Sequence, residues 1–545
     1  MMTKKIFLSF FALCITGFSF SQSQTKEIAR PKLVIGLVID QMRWDYLYRY
    51  YDLYSTNGFK RLLNEGYSCE NTMIPYVPTY TAPGHTCIFT GSVPAINGII
   101  GNNWFDKNSN KTIYCTDDST VLSVGSNSAA GKMSPRKLLT TTITDELRLS
   151  NNFKSKVIGI SLKDRASILP AGHSANAAYW FDTKTGDWIT SSYYMAQLPD
   201  WMNKFNQKRL PDNYMSKDWN TLLPQSKYEL STEDNKVYER TIPGEKTTIF
   251  PHKLPTISNL KYDAFEYTPF GMTYTFDLAK SVIENENLGK NNVADFLTIS
   301  ISSTDYIGHA FGPNSVETED TYLRLDNDIA TFLKYLDDKL GKENYLLFLT
   351  ADHGVAHIPA FLQEHKIPAG IFSDSSLAKE IDRLIENKFN IKNSVQLVLN
   401  YQVYLNINKI EKEGKAFEDV AYEVIKYLKQ KPFIEDAFET KNIVQQSIPE
   451  PIKRMLVNGY NVNRSGDIQF TVAPEYFDWT WQGTTHGSWN PYDAHIPLIW
   501  FGWNIKHGAT NRETYMTDIA PTLAAMLKIQ MPSGSVGKVI EEVIK

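Results

Sequence analysis

Five stretches of this chain read as continuous apolar runs that end in a charged or turn-forming residue. They are KLVIGLVID (32–40), FKSKVIGISLKDR (153–165), ADFLTISISSTD (294–305), NYLLFLTADHG (344–354) and HIPLIWFG (495–502). An apolar run without alternation is what a strand buried on both faces of a parallel sheet requires. Between the runs lie helical patterns. TNGFKRLLNEG (56–66) puts Phe59, Leu62 and Leu63 on one face, and DTYLRLDNDIATFLKYLDDKLG (320–341) and MTDIAPTLAAMLKI (516–529) repeat apolar residues at three- and four-residue steps. Strands alternating with helices predict an α/β fold with a mostly parallel central sheet flanked by helices on both faces.

Two stretches break this alternation. Residues about 175–290 are aromatic, proline-rich and polar, and residues about 360–480 carry helix and strand signals of their own, such as LAKEIDRLIENKF and VQLVLNYQVYLNIN. Segments of this length are seldom without a role. They are expected to be two inserted, cap-like subdomains within one domain spanning 30–545.

Composition narrows the function classes. Hydrophobic residues make up 42% of the 545, enough for a large core, and the 30 Tyr and 11 Trp supply side chains suited to cleft walls. The net charge of −4 leaves no basic excess to hold a nucleic-acid backbone, so an anionic substrate would need a local positive site such as metal ions. At the N-terminus, Lys4 and Lys5 precede an apolar stretch (6–20) too short for a comfortable membrane span, followed by the polar SQSQ. This reads as a signal peptide over 1–22, predicting a periplasmic or secreted protein without stable membrane insertion. Its removal takes Cys14 away and leaves Cys69, Cys87 and Cys115, an odd number with no CxxC. That is neither a disulfide framework nor a thiolate zinc site, although one pair could form.

The chemistry gathers at the strand ends. They supply Asp40, Asp305 with His309, and Asp352 with His353, while WQGTTHGSW supplies His486. Ligands of open α/β sheets bind beyond the carboxyl ends of the strands, so these four segments could meet. Carboxylates and imidazoles are the donors zinc takes, yet a single acid at a strand end is as often a turn or a helix cap. His357 lies four residues after His353, but the intervening Gly354 suggests a turn and a structural role for His357. Thr81, in TYTAPGHT, reads either as the N-cap of a helix over PGHTCIFTG or as a reactive hydroxyl. Lys163 and Arg165 read either as a solvated turn or, on a strand that continues through them, as two cations on one side with Asp164 on the other.

TYTAPGHT, STDYIGHAFGP, TADHG, TTHGSWNPYDAHIPLIWFG and MTDIAPTLAAML, in this order, resemble the alkaline phosphatase superfamily, and most of all its PafA-type, phosphate-irrepressible branch in Bacteroidetes. The resemblance runs from about residue 32 to the C-terminus. It implies two zinc ions per chain. Asp305, His309 and His486 would hold one, and Asp40, Asp352 and His353 the other, with Thr81 bound to it as the nucleophile. Asn102 in GNNWFD, with Lys163 and Arg165 in SLKDR, would contact the phosphoryl group. The implied activity is hydrolysis of a broad range of small phosphate monoesters through a phosphothreonine, in a chain expected to be a monomer.

The physics agrees with that assignment. A divalent metal lowers the pKa of bound water from 15.7 to about 7; a similar response by an alcohol would be worth on the order of 12 kcal/mol. General-base help gives roughly 3–6 kcal/mol, so metal coordination is the larger lever and His85 can be structural. Two other readings compete. A phosphodiesterase of the same superfamily would share the zinc ligands and the threonine, and a secreted metal- or glycan-binding protein without turnover would use the aromatics. A sulfatase is disfavoured, because TAPGHT lacks the Cys/Ser-x-Pro-x-Arg pattern.

Overall fold

The structure is a computed structural model that describes residues 29–544. The segment read as a signal peptide, with Cys14, lies outside them. Ten strands form the central sheet: β1 (Leu33–Ile39), β2 (Tyr67–Cys69), β3 (Ser123–Val124), β4 (Val157–Ser161), β5 (Ala177–Asp182), β6 (Asp187–Ser191), β7 (Asp295–Ile301), β8 (Tyr345–Thr350), β9 (Leu498–Gly502) and β10 (Gly508–Thr510). Their order across the sheet is β10–β2–β9–β8–β1–β7–β4–β5–β6–β3. The central strands β8, β1, β7, β4 and β5 run parallel, and every residue of β1, β7 and β8 is buried. This is the burial that their unbroken apolar sequences call for.

The run at 495–502 departs from the parallel pattern. Pro497 has no N–H to give to a ladder and divides it. His495–Ile496 pairs with Thr72–Met73 in a small separate sheet, and β9 runs antiparallel to β8. Antiparallel strands likewise finish the opposite edge, where β6 pairs with β5 and β3 with β6.

Helices flank the sheet: α1 (Thr81–Thr90), α2 (Asp164–Ala171), α3 (Phe270–Asn285), α4 (Ser303–Phe311), α5 (Val316–Leu340) and α6 (Ile519–Leu527). α1 packs against α2 and α6, whereas α5 packs against α3 and α4. α1 is buried along its whole length. Two of its three hydroxyls are satisfied inside the helix, since Thr86 donates to the carbonyl of Ala82 and Thr90 to that of Thr86, both at 2.7 Å.

β5 and β6 lie in the central sheet, and α3 packs on α5. The segment between β6 and α3 (192–269) carries short helices and aromatic clusters. Its Phe265 packs ring against ring with Phe181 of β5 and Tyr274 of α3, and Trp188 of β6 joins them, at centroid distances of 5.1–6.3 Å. Further along the chain, a separate four-stranded antiparallel sheet forms in the order Val395–Leu399, Gln402–Leu405, Ile468–Val472, Ile434–Glu439. Helices Asp374–Phe389 and Phe417–Leu428 pack on it and on each other. Cys69, Cys87 and Cys115 are buried free thiols. Among the described residues no helix is long and apolar enough to cross a membrane.

Candidate functional site

The parallel core fixes the site, because β1, β7 and β8 end side by side. Asp40 follows the last residue of β1, and its N–H donates to the carbonyl of Ile301 at the end of β7. Asp305 and His309 sit one turn apart on α4, directly after β7. Asp352 and His353 follow β8. His486 arrives from the segment that leads into β9 and is anchored by its Nδ1 to the carbonyl of Thr79 at 2.7 Å. The nucleophile candidate comes from a fifth element. Thr81 is the first residue of α1, and its Oγ1 lies 3.5 Å from His353 Nε2. The N-cap position belongs to Tyr80, which makes no side-chain cap. The capping role considered for Thr81 is therefore not used, and its hydroxyl is left facing the acids and imidazoles.

Three imidazoles share one arrangement. His309 Nδ1 meets the carbonyl of Thr484 at 2.8 Å, His353 Nδ1 that of Gly354 at 3.0 Å, and His486 Nδ1 that of Thr79. A carbonyl can only accept, so each Nδ1 carries the proton and Nε2 is the edge presented to the carboxylates. Burial pushes His353 down to about 3 and lowers His486 as well, which keeps both rings neutral. Unprotonated Nε2 atoms then face carboxyl oxygens: His353 lies 3.5 Å from Asp40 Oδ1 and 3.4 Å from Asp352 Oδ2, and His486 3.5 Å from Asp305 Oδ1. Lone pair against lone pair is repulsive unless a proton or a metal cation sits between them. Among the described residues, Asp40 Oδ1 and Asp352 Oδ2 are also buried without a hydrogen-bond partner. Burial, then the neighbouring Asp352, drives Asp40 well above the usual carboxylate range.

These observations fit a divalent metal. Ligand atoms of Asp40, Asp352 and His353 lie within 4.8 Å of one another, as do those of Asp305, His353 and His486. His353 thus stands between the two groups. His309 joins the second through its Nε2, 3.2 Å from Asp305 Oδ1. The oxygen and imidazole donors are those zinc accepts, and the Nδ1–carbonyl bonds orient each ring as metal-bound histidines require.

The expected phosphoryl contacts are placed unequally. Asn102 Oδ1 accepts from the N–H of Ala82 at 2.9 Å, beside Thr81, which leaves its amide N–H₂ as the donor end. Strand alternation does not govern Lys163 and Arg165, because β4 stops at Ser161 and Lys163 is the residue before α2. Lys163 is buried with its ammonium on the carboxylates, 2.7 Å from Asp40 Oδ2 and 2.5 Å from Asp305 Oδ2. Arg165, inside the first turn of α2, donates to Tyr114 Oη at 3.0 Å. Asp164 is tied down by Tyr114 Oη and Thr116 Oγ1, both at 2.7 Å.

Several supporting residues carried no sequence signal strong enough to single them out. Gln41 adopts a left-handed φ of 65°, which aims its Nε2 at Asp305 Oδ1 (2.7 Å) and its N–H at Asp352 Oδ1 (3.2 Å). Gly308 on α4 makes room for it, since a Cβ there would lie 1.8 Å from Gln41 Oε1. Gly84 on α1 lets that helix approach the Asp352 carbonyl, to which a Cβ would stand at 2.5 Å. Thr304 Oγ1 donates to the Asp40 carbonyl. His85 links the Thr81 carbonyl (2.9 Å) to Ser300 Oγ (2.8 Å), a supporting rather than a reacting position. His357 holds Asn314 Oδ1 at 2.6 Å through Nδ1.

The same pattern occurs in known proteins. Residues 34–490 match the family described as Type I phosphodiesterase / nucleotide pyrophosphatase. The chain is 51% identical to alkaline phosphatase PafA of Elizabethkingia meningoseptica over 535 residues, 98% of each chain. It is 52% identical over 533 residues to a Myroides odoratus protein named calcium-transporting ATPase, covering 97% of each. The crystal structure of wild-type alkaline phosphatase PafA superposes with a TM-score of 0.93 at 51% identity, covering 95% of this chain and all of that one. This chain belongs to the Type I phosphodiesterase / nucleotide pyrophosphatase family, within the alkaline phosphatase superfamily.

Proposed function

We propose that this protein is an alkaline phosphatase that hydrolyses small phosphate monoesters of broad range through a phosphothreonine at Thr81, with two zinc ions. The observation that carries the reading is the ring of buried acids and neutral imidazoles around the Thr81 hydroxyl, with two carboxyl oxygens that have no hydrogen-bond partner among the described residues. Asp40, Asp352 and His353 would hold one ion beside Thr81, and Asp305, His309 and His486 the other. Bound cations of this kind acidify a coordinated hydroxyl or water and neutralise charge on the departing oxygen.

The chain's own groups supply the rest. Thr81, at the N-terminus of α1, faces an incoming phosphoryl anion with the helix amides behind it. Asn102 donates its amide to a phosphoryl oxygen. Lys163 adds a buried positive charge, and Arg165 offers a planar fork that matches two oxygens. Thr81 Oγ1 attacks phosphorus in line as the ester oxygen leaves. Water then cleaves the threonine ester and frees phosphate. The two cations of Lys163 and Arg165 suit a monoester, which carries one more charged oxygen than a diester. The family's description keeps phosphodiester hydrolysis as the second reading, so turnover of a monoester and a diester, with and without Arg165→Ala, separates them. Mass spectrometry of acid-quenched enzyme should find the phosphoryl group on Thr81, and steady turnover by Thr81→Ala would reject the nucleophile. Export to the periplasm or medium and a monomeric state belong to the same reading.

A further inference from the structure

Aromatic rings run in a file from the nucleophile to the rim of the site. The His353 and His486 centroids lie 3.5 Å apart, those of His486 and His309 5.0 Å, and those of His309 and Trp479 5.3 Å with planes 19° from parallel. The Arg240 guanidinium comes next, 5.6 Å from the Trp479 ring centroid. Thr81 stands at the His353 end and Arg240 at the other. Arg240 comes from the first inserted region and Trp479 from the second, so both subdomains meet here.

Arg240 is held in place by its backbone, whose N–H donates to the carbonyl of Ala310, the residue after His309. Around it, Gln482 Nε2 donates to the carbonyls of Val237 and Glu239, and the N–H of Gly483 donates to that of Tyr238. The guanidinium itself is exposed, and among the described residues it has no carboxylate in ion-pair range. A cation beside an aromatic face, with no carboxylate in ion-pair range among the described residues, can recognise a flat anionic group. Tyr267 adds a second ring, 5.1 Å from that of Tyr306 next to Asp305.

In an in-line displacement the leaving group departs opposite the nucleophile. A group departing along this file, away from Thr81, would meet Trp479 and Arg240. The geometry points to a leaving-group subsite formed by Arg240 and Trp479, which selects phosphate monoesters whose leaving group carries its own negative charge and a flat face. This inference rests on the phosphatase reading and names the substrate class it favours.

The test uses a matched pair of esters, phenyl phosphate and para-carboxyphenyl phosphate, with the zinc-loaded enzyme. The ratio of their kcat/KM values, charged over neutral, should fall about fivefold in Arg240→Ala, the scale of one exposed charge pair. Arg240→Lys should keep most of the ratio, and rising salt should erode it in the wild type. Binding provides a readout free of turnover: the preference of Thr81→Ala for the charged ester should fall by the same factor when Arg240→Ala is added. An unchanged ratio in both measurements overturns the subsite while leaving the phosphatase intact. Failure of the wild type to cleave either ester overturns the phosphatase reading itself.

Discussion

His353 and His486 lie face to face, ring centroids 3.5 Å apart and planes 15° from parallel, one from the end of β8 and the other from the segment before β9. Two imidazolium ions would repel at this distance. Burial holds both rings neutral, and each is pinned through Nδ1 to a backbone carbonyl. The pair presents two Nε2 lone pairs to three buried aspartates, which is a demand for cations.

Removing metal should therefore cost stability as well as turnover. A ligand present at a thousand times its dissociation constant stabilises the folded state by about 4 kcal/mol. Chelator-treated protein should melt well below the zinc-loaded form, and added zinc should restore both properties. An unchanged melting temperature after verified metal removal would contradict the site.

Lys163 should matter most when metal is absent. Its ammonium bridges Asp40 and Asp305 in a buried setting, and deleting one member of a buried charge cluster typically costs about 3–5 kcal/mol. Lys163→Ala should lose about that much in denaturant unfolding of the metal-free protein and clearly less in the loaded protein. Equal losses would mean that Lys163 does not share the carboxylates' charge with the metals.

Gly308→Ala tests the support beneath Asp305. The added Cβ would press on Gln41 Oε1 and displace the amide that orients Asp305. Loss of such a supporting partner typically weakens metal affinity about 10–100-fold. Competition with a zinc chelator should report that loss while the fold, read by circular dichroism, persists.

A separate acidic cluster makes stability depend on pH. Glu239 is raised to about 9 by burial and then by Glu317, and Glu317 to about 7 by burial, against the pull of His252. His252 is lowered by burial but raised more by Glu245 and Glu317, to about 9. All three bind protons more tightly folded than unfolded, so their contribution is complete at acid pH and is lost as pH climbs toward 9. The melting temperature of zinc-loaded protein should fall between pH 6.5 and 9, and Glu239→Gln should flatten that slope. A steeper slope in the variant would contradict the assignment.

Much of this architecture is written locally in the chain. LVIGLVI and YLLFLT have no polar face to expose, so they had to be interior strands, and the acids that close them had to lie at one edge of the sheet. Chain order alone does not reveal antiparallel closure, and HIPLIWFG reads as one strand until the missing N–H of Pro497 divides it. Lys163 and Arg165 show the same limit. Two-residue spacing implies one side only if the strand continues, and the switch to helix at Asp164 cancels that rule. Gln41 and Gly308 were hidden for another reason. Their roles arise from a positive φ and a clearance between elements far apart in sequence, which no local pattern records. Arg240 and Trp479, in the two inserted regions, were equally invisible as neighbours.

If distant acids and imidazoles hold a pair of cations over the Thr81 hydroxyl, anomalous diffraction at the zinc edge, from crystals of the purified protein, will locate them. Two peaks are expected, one among Asp40, Asp352 and His353 beside Thr81 Oγ1, and one among Asp305, His309 and His486. A single peak, or peaks remote from these side chains, would contradict this placement.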